Sequence, residues 1–344
     1  MSIHTITNQS VSEIAEEFKG IRVPFESIPI IDLAAFRDGS ARRDVADSMA
    51  RAARDVGFFY VTNHGVDEAV VDEALEQTRQ FFNQPLEIKS RYPIADSFPH
   101  QRGYVPVFGE ELGMDETVDL KESFDLGVDL PADDPDVVAG IPFYSPNTWP
   151  DHMPDFKVAI TTYYDGMLEL SKVLGHAFAM SLGLDEDFFV DRMKKPIANM
   201  RLLHYPPYSP VSGQKVIGAG AHSDYGFVTI LVQDQIGGLQ VQNMRGEWIE
   251  APPIPGALVI NIGEMLAMWT NDLFVATRHR VMNISGVDRY SIPLFLDMDY
   301  DVEVSCLPTC LGDDGHPKYQ PVRAGDYISK RLNETFPFRR DQVS

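Results

Sequence analysis

The second half of the chain is a series of short apolar segments separated by turns, and this pattern constrains the fold more than any other feature. Each segment is short enough to be a strand, and glycine or proline marks most of the breaks between them. Many short strands at intervals of about 8–12 residues are typical of a β-sandwich or a jelly roll. The predicted strands are 200–205, 216–221, 228–232, 239–242, 248–249, 257–262, 279–284, 290–296 and 302–306.

The first half of the chain has mainly helical patterns. The longest runs over 154–182, where apolar residues recur every three or four positions. Shorter helices are expected over 11–18 and 185–193, a buried strand over 57–61, and a C-terminal helix over 324–336. We therefore predict an α+β fold with a mainly β core, a jelly roll with an N-terminal helical flank and a C-terminal helix. The expected parts are an N-terminal arm (1–25), a helical and strand region (26–195), the jelly-roll core (196–300), and a strand and helix that act as a lid (301–344).

Composition excludes several classes of partner. The 344 residues include 29 Lys and Arg against 51 Asp and Glu, a formal net charge of −22, with no basic run. Nucleic acid and anionic membrane surfaces are therefore not expected as partners. The chain has no apolar stretch of the roughly 18 residues that span a bilayer and begins without a secretory pattern, so we expect a cytoplasmic location. Its two cysteines predict no disulfide framework.

Three side chains have the spacing of a metal site. His222 and Asp224 are two residues apart, so on a strand both face the same side. His279 begins a later predicted strand. Two imidazoles and one carboxylate leave three coordination positions open, which is the ligand set of non-haem Fe(II) oxygenases. Catalytic zinc is the alternative, although the chain has no HExxH helix.

A second polar pair follows ten residues after His279. Arg289 and Ser291 alternate, so they share one face of their predicted strand. A buried guanidinium needs an anion, and a carboxylate fits its two parallel donors. Tyr205 is expected to add a hydroxyl to the same group. The alternative is an internal salt bridge with one of the many acidic residues.

Several motifs match a known family in order and spacing across 28–334. They are Gly57-Phe58-Phe59-Tyr60-Val61-Thr62-Asn63-His64-Gly65, Tyr205-Pro206-Pro207, His222-Ser223-Asp224-Tyr225-Gly226, Gly237-Gly238-Leu239-Gln240-Val241, His279-Arg280-Val281 and Arg289-Tyr290-Ser291. On these residues the chain resembles the isopenicillin N synthase-like branch of the 2-oxoglutarate- and Fe(II)-dependent dioxygenases.

The resemblance implies a double-stranded β-helix, which is a jelly-roll core with helices packed on one side. It implies that His222, Asp224 and His279 are the Fe(II) ligands. It also implies that Arg289 and Ser291 bind the distal carboxylate of 2-oxoglutarate, with help from Tyr205. The implied reaction consumes O₂, converts 2-oxoglutarate to succinate and CO₂, and hydroxylates a substrate; desaturation and ring closure are variants.

We expect the substrate to be a small molecule, an amino acid or a specialised metabolite. Its predicted contacts are Arg102, in a long loop region, and the aromatic residues Phe108, Phe227 and Phe295. Two alternatives stay open: a 2-oxoglutarate-independent iron oxidase or cyclase on the same scaffold, and a non-catalytic jelly-roll binding protein. The sequence also leaves open the oligomeric state and the position at which the substrate is attacked.

Overall fold

A computed structural model describes residues 28–110, 117–207, 215–312 and 315–343. Its strands are β1 (Ile30–Asp32), β2 (Phe58–Thr62), β3 (Gly103–Val105), β4 (Thr117–Asp119), β5 (Glu122–Leu126), β6 (Pro196–Tyr205), β7 (Lys215–Ile217), β8 (Ala219–His222), β9 (Val228–Gln233), β10 (Leu239–Gln242), β11 (Trp248–Glu250), β12 (Leu258–Ile262), β13 (His279–Val281), β14 (Arg289–Asp299), β15 (Glu303–Val304) and β16 (Val322–Arg323). Its α-helices are α1 (Ala34–Arg37), α2 (Arg42–Asp55), α3 (Glu68–Phe82), α4 (Leu86–Lys89), α5 (Pro135–Val138), α6 (Pro154–Ser181), α7 (Glu264–Trp269), α8 (Ala324–Thr335) and α9 (Pro337–Val343).

Two sheets pack face to face and form the predicted jelly roll. The larger sheet has the strand order β1-β2-β12-β9-β14-β6-β5-β3, and the smaller has the order β11-β10-β13-β8. Buried apolar side chains from both sheets form one cluster between them, including Leu203 and Leu231 from the larger sheet and Val241 and Val281 from the smaller. The larger sheet includes strands from both halves of the chain, so the N-terminal region is part of the same fold.

The central strands of the larger sheet are buried on both faces, and alternate residues serve different layers. On β14, Ile292 and Leu294 belong to a core cluster that includes the helices. Arg289, Ser291 and Phe295 lie on the opposite face and line the space between the sheets. Strands β6, β9 and β12 alternate in the same way, so one face is apolar and the other carries polar groups into the interior.

The long helix α6 packs against α2 and α3 on the outer face of the larger sheet. It contributes Leu170, Leu174 and Phe178 to the core there, as the three- and four-residue spacing predicts. Gly183 follows the helix with a positive φ of 69°, a conformation that glycine adopts without steric cost.

Some predicted elements differ from the structure. The segment 185–193 contains only a 3₁₀ turn, Val190–Arg192, because the chain turns into β6 at Pro196 before an α-helix can propagate. The strand predicted over 216–221 divides at Gly218 into β7 and β8, which belong to different sheets. The helix predicted over 11–18 lies outside the described residues. Both cysteines are free, as expected.

No helix in the described part of the chain has both the length and the apolar character needed to cross a membrane.

Replacing Phe227 with Ala should lower the free energy of unfolding by about 3–5 kcal/mol, because the deletion leaves a cavity in the core. Phe227 is fully buried and its ring contacts those of Phe178, Phe189 and Trp269 at centroid distances of 6.0, 4.8 and 6.1 Å. Urea unfolding measures the change. Val158→Ala, on the exposed face of α6, is the control and should change stability by less than about 0.5 kcal/mol. An equal effect of both substitutions would contradict this core position.

Candidate metal centre and adjoining cavities

The pairing of β8 with β13 brings the two predicted histidines together. These strands are antiparallel, and His279 lies directly opposite His222 in the register. Their ring centroids are 4.3 Å apart. Asp224 follows the end of β8, and its Oδ1 lies 3.5 Å from Nε2 of His222 and 3.6 Å from Nε2 of His279. One ligand atom from each residue lies within 4.8 Å of the others, a separation that a single metal ion can bridge.

Main-chain carbonyls orient both imidazoles. Nδ1 of His222 lies 2.7 Å from the carbonyl oxygen of Gly220, and Nδ1 of His279 lies 3.3 Å from that of Thr277. A carbonyl only accepts, so each Nδ1 carries the hydrogen. This leaves the Nε2 lone pairs directed at a common point beside Asp224, which is the tautomer that metal coordination by Nε2 requires.

The second oxygen of the Asp224 carboxylate is held by neutral donors. Thr229 Oγ1 donates to Oδ2, and Asn261 Nδ2 donates to the same atom at 2.7 Å. Both donors come from the larger sheet, so they fix the carboxylate from the side opposite the imidazoles. Sequence reasoning missed these two residues; the only signal was a polar residue at an inward position of an otherwise apolar strand.

The electrostatics of the metal-free cluster reflect close packing of one acid and two bases. Burial lowers the pKa of His279 to about 4, although the Asp224 charge opposes the shift. Burial also acts against protonation of His222, but its hydrogen bond and charge interaction with Asp224 outweigh burial and raise its pKa. The pKa of Asp224 is far below its usual range; burial opposes that shift, and the two imidazoles dominate it. A negative carboxylate beside a neutral imidazole favours a cation at this point.

Arg289 lies deeper between the sheets and has neutral partners. Its Nε donates to the Gly237 carbonyl at 2.6 Å, and its terminal nitrogens donate to Ser291 Oγ at 3.2 Å and Gln233 Oε1 at 3.1 Å. Its guanidinium carbon lies 4.7 Å from the ring centroid of Tyr205, the residue opposite it on β6. The side chain is 1% exposed, and none of the described carboxylates forms an ion pair with it. The salt bridge considered as an alternative for Arg289 is therefore not present among the described residues.

Two cavities meet at the His–Asp–His cluster. The first lies between the sheets and is lined by His222, Asp224 and His279 together with Arg289 and Ser291. The second also reaches His222 and Asp224 but continues toward α8. Its wall includes Ile197, Asn199, Arg201, Phe295, Asp297, Ile328 and Leu332. Phe295 and Arg201 line both cavities and so stand at the boundary between them.

The structure places the four predicted substrate contacts in different environments. Phe295 lines both cavities. Phe227 is corrected to a core position, because its neighbours are buried aromatic rings. Arg102 is 2% exposed and donates to the main-chain carbonyls of His100 and Phe143, so its charge holds loops together rather than reaching the cavities. Phe108 is 44% exposed on a surface loop.

Comparison with known proteins identifies the family. Residues 28–152 match the family model described as non-haem dioxygenase in morphine synthesis N-terminal, and residues 196–298 match that of the 2OG-Fe(II) oxygenase superfamily. A 2-oxoglutarate-Fe(II) type oxidoreductase, ppzC of Metarhizium majus, is 35% identical over 90% of this chain and 87% of its own length. The chain belongs to the 2OG-Fe(II) oxygenase superfamily. The expected family is confirmed, and Fe(II) rather than zinc is its metal.

Solved structures agree with this oxygenase fold. A 2OG-Fe(II) oxygenase family protein from Caulobacter crescentus has a TM-score of 0.78 and 31% identity, covering 90% of this chain and 99% of that one. Neurospora crassa T7H in complex with alpha-KG and thymine has a TM-score of 0.77 and 28% identity, covering 89% and 96%. The double-stranded β-helix and the 2-oxoglutarate-dependent enzyme are therefore confirmed. A 2-oxoglutarate-independent oxidase and a non-catalytic binding protein find no support in these matches.

Thr229→Val should weaken metal binding by at least about tenfold, because it removes a donor that orients Asp224 while keeping the side chain's volume. Anaerobic titration of the oxygenase with Fe(II) measures the dissociation constant. Thr162→Val, on the exposed face of α6, removes a hydroxyl far from the site and serves as the control. Equal affinities for the two variants would show that the Thr229 hydroxyl does not support the site.

Proposed function

We propose that this oxygenase oxidises a C–H bond of a small molecule, usually by hydroxylation, and that His222, Asp224 and His279 hold its iron. The observation that carries the proposal is the convergence of both Nε2 atoms on Oδ1 of Asp224 at 3.5 and 3.6 Å, where the two cavities meet. When bound, Fe(II) and 2-oxoglutarate supply the oxidising chemistry, in which O₂ is consumed and 2-oxoglutarate becomes succinate and CO₂. The protein orients 2-oxoglutarate and the substrate and provides a separate cavity for each.

The cavity between the sheets suits 2-oxoglutarate. Arg289 presents a fixed charge at its inner end, and Ser291 Oγ lies 3.2 Å from the nearer terminal nitrogen. Tyr205 packs against the guanidinium plane and helps to hold its orientation. A buried guanidinium with only neutral partners is costly, and the distal carboxylate of 2-oxoglutarate would offset that cost with charged hydrogen bonds.

The second cavity suits the substrate. It reaches the metal cluster from the side of α8, whose Ile328 and Leu332 form part of its wall. These contacts support a covering role for the C-terminal segment 301–344. A Glu264 carboxylate links this helix to the metal loop, because Ser223 and Tyr327 both donate to it and Arg331 pairs with it at 3.3 Å. The thymine in the T7H complex supports a small molecule as the class of substrate.

His222→Ala and Asp224→Ala should each abolish succinate formation while the protein stays folded, since each removes one of three metal ligands on a cavity wall and leaves the apolar core intact. Succinate is measured with Fe(II), 2-oxoglutarate and O₂ supplied. His152→Ala, at an exposed loop, is the control and should keep the wild-type rate. Succinate formation at the wild-type rate in either ligand variant would contradict the assignment of that residue.

Arg289→Ala should raise the 2-oxoglutarate concentration needed for half-maximal succinate formation by at least about 30-fold, because one partner of a buried charged pair is lost. Arg289→Lys should recover part of the loss, since it restores the charge without the two-pronged geometry. Arg245→Ala removes the same charge from an exposed turn and is the control. An unchanged requirement in Arg289→Ala would contradict the cosubstrate site. Product formed without equimolar succinate would favour an oxidase.

A further inference from the structure

One wall of the second cavity is built from two neighbouring strands. β6 and β14 are antiparallel, with Asn199 opposite Phe295 in the register. Asn199 and Arg201 on β6, and Phe295 and Asp297 on β14, all line the cavity. Alternate positions of each strand share a face, so the same alternation that directs Arg289 inward at one end of β14 directs Asp297 inward at the other.

The positive charges of this wall are already neutralised. Arg201 donates to Asp125 through Nη2 at 2.8 Å and to Glu110 through Nη1 at 2.9 Å. Lys121 lies 3.2 Å from the same Glu110 and pairs with Asp119 as well. All five side chains are buried. Both cations, Arg201 and Lys121, are therefore already paired with carboxylates of this network.

Asp297 is the further acid, and one oxygen of its carboxylate has no partner among the described residues. The residue is 3% exposed, and its Oδ1 is buried without a hydrogen-bond partner. Within the described ranges, no side chain donates to it or pairs with it. A Cβ atom placed on Gly226 would lie 2.7 and 2.8 Å from the two oxygens of the Asp297 carboxylate. The carboxylate therefore packs closely against the loop that contains Asp224 and Gly226. Burial raises the pKa of Asp297 well above its usual range, and a hydrogen bond from the Phe227 main chain only partly opposes the shift. The carboxyl therefore favours its neutral form until a cation lies beside it and stabilises the charged form.

Asn199 provides a second unused acceptor in the same wall. Its Nδ2 donates to Asp125 at 3.3 Å, which assigns the other amide atom, Oδ1, as an acceptor. That Oδ1 is buried and has no hydrogen-bond partner in the described part of the chain. A buried polar atom without a hydrogen bond is uncommon in folded proteins and costs stability. Two such acceptors on one cavity wall indicate that a donor from outside the chain completes them.

We propose that the substrate carries a protonated nitrogen, as in an amine or a guanidine, and that Asp297 and Asn199 bind it in the second cavity. The proposal rests on the proposed function and adds the chemical class of its substrate. A cationic nitrogen satisfies both acceptors and supplies the counter-charge of the Asp297 carboxylate. An anionic head group at this position meets an uncompensated acid. The apolar part of the substrate lies against Phe295, Ile328 and Leu332.

Binding of three matched probes to the full-length protein tests this class. Hexylamine, hexanamide and hexanoate have the same chain length and differ only in a positive, neutral or negative head group. Each is titrated calorimetrically under anaerobic conditions into protein loaded with Fe(II) and 2-oxoglutarate. We expect hexylamine to bind at least about tenfold more tightly than hexanamide, as a charged hydrogen bond exceeds a neutral one, and hexanoate to bind most weakly.

The variant Asp297→Asn keeps the side chain's size and removes its charge. It should weaken hexylamine binding at least about tenfold and change hexanamide binding by less than about threefold. Asp301→Asn, on an exposed turn, removes the same charge outside the cavity and should leave the preference unchanged. If Asp297→Asn fails to fold by thermal melting, Asn199→Leu takes its place and should also reduce the preference for hexylamine.

Two results overturn the proposal. One is a wild-type protein that does not prefer hexylamine, including one that binds none of the three probes. The other is a folded Asp297→Asn or Asn199→Leu variant with the wild-type preference. The 2-oxoglutarate affinity of the same samples separates the two levels of inference. Failure of the iron-loaded wild type to bind 2-oxoglutarate contradicts the proposed function, whereas normal 2-oxoglutarate binding without an amine preference contradicts only the substrate class.

Discussion

The structure depends on strands that are buried on both faces and whose side chains alternate between two different environments. One set packs against the helices and consists of apolar residues such as Ile230, Ile260 and Ile292. The other set faces the space between the sheets and includes Thr229, Asn261 and Ser291. A shift of one residue in register would exchange the two sets, placing polar groups in the helical core and removing the polar side chains of the larger sheet from the interior. The apolar face therefore fixes the geometry of the polar face.

Within this interior, Asp224 links the His–Asp–His cluster to the larger sheet. One carboxylate oxygen faces the imidazoles of His222 and His279, which belong to the smaller sheet. The other oxygen accepts hydrogen bonds from Thr229 and Asn261 on the larger sheet. A single side chain thus connects the two layers where the ligands converge. Its orientation therefore depends on how the two sheets pack against each other.

Much of this arrangement could be predicted from the sequence where the signal is local. Arg289 and Ser291 are two residues apart on β14, and strand geometry places them on one face. His222 and Asp224 have the same spacing and also lie together, although Asp224 lies just beyond the end of β8. The short strands and the helix over 154–181 follow from hydrophobic spacing. The network of Arg201 with Glu110 and Asp125 could not be predicted, because it depends on the register between distant segments. Phe227 and Phe295 look alike in sequence, and only the tertiary structure separates a core ring from a cavity wall.

The inward positions of β14 line two different cavities along one strand. Arg289 and Ser291 occupy its first part, and Phe295 and Asp297 its last. Eight residues of extended chain separate Arg289 from Asp297 by roughly 26 Å at about 3.3 Å per residue. Changes at positions so far apart are close to additive in their energetic effects. A substitution at Asp297 therefore has little effect on the environment of Arg289, and the two ends of the strand can change independently.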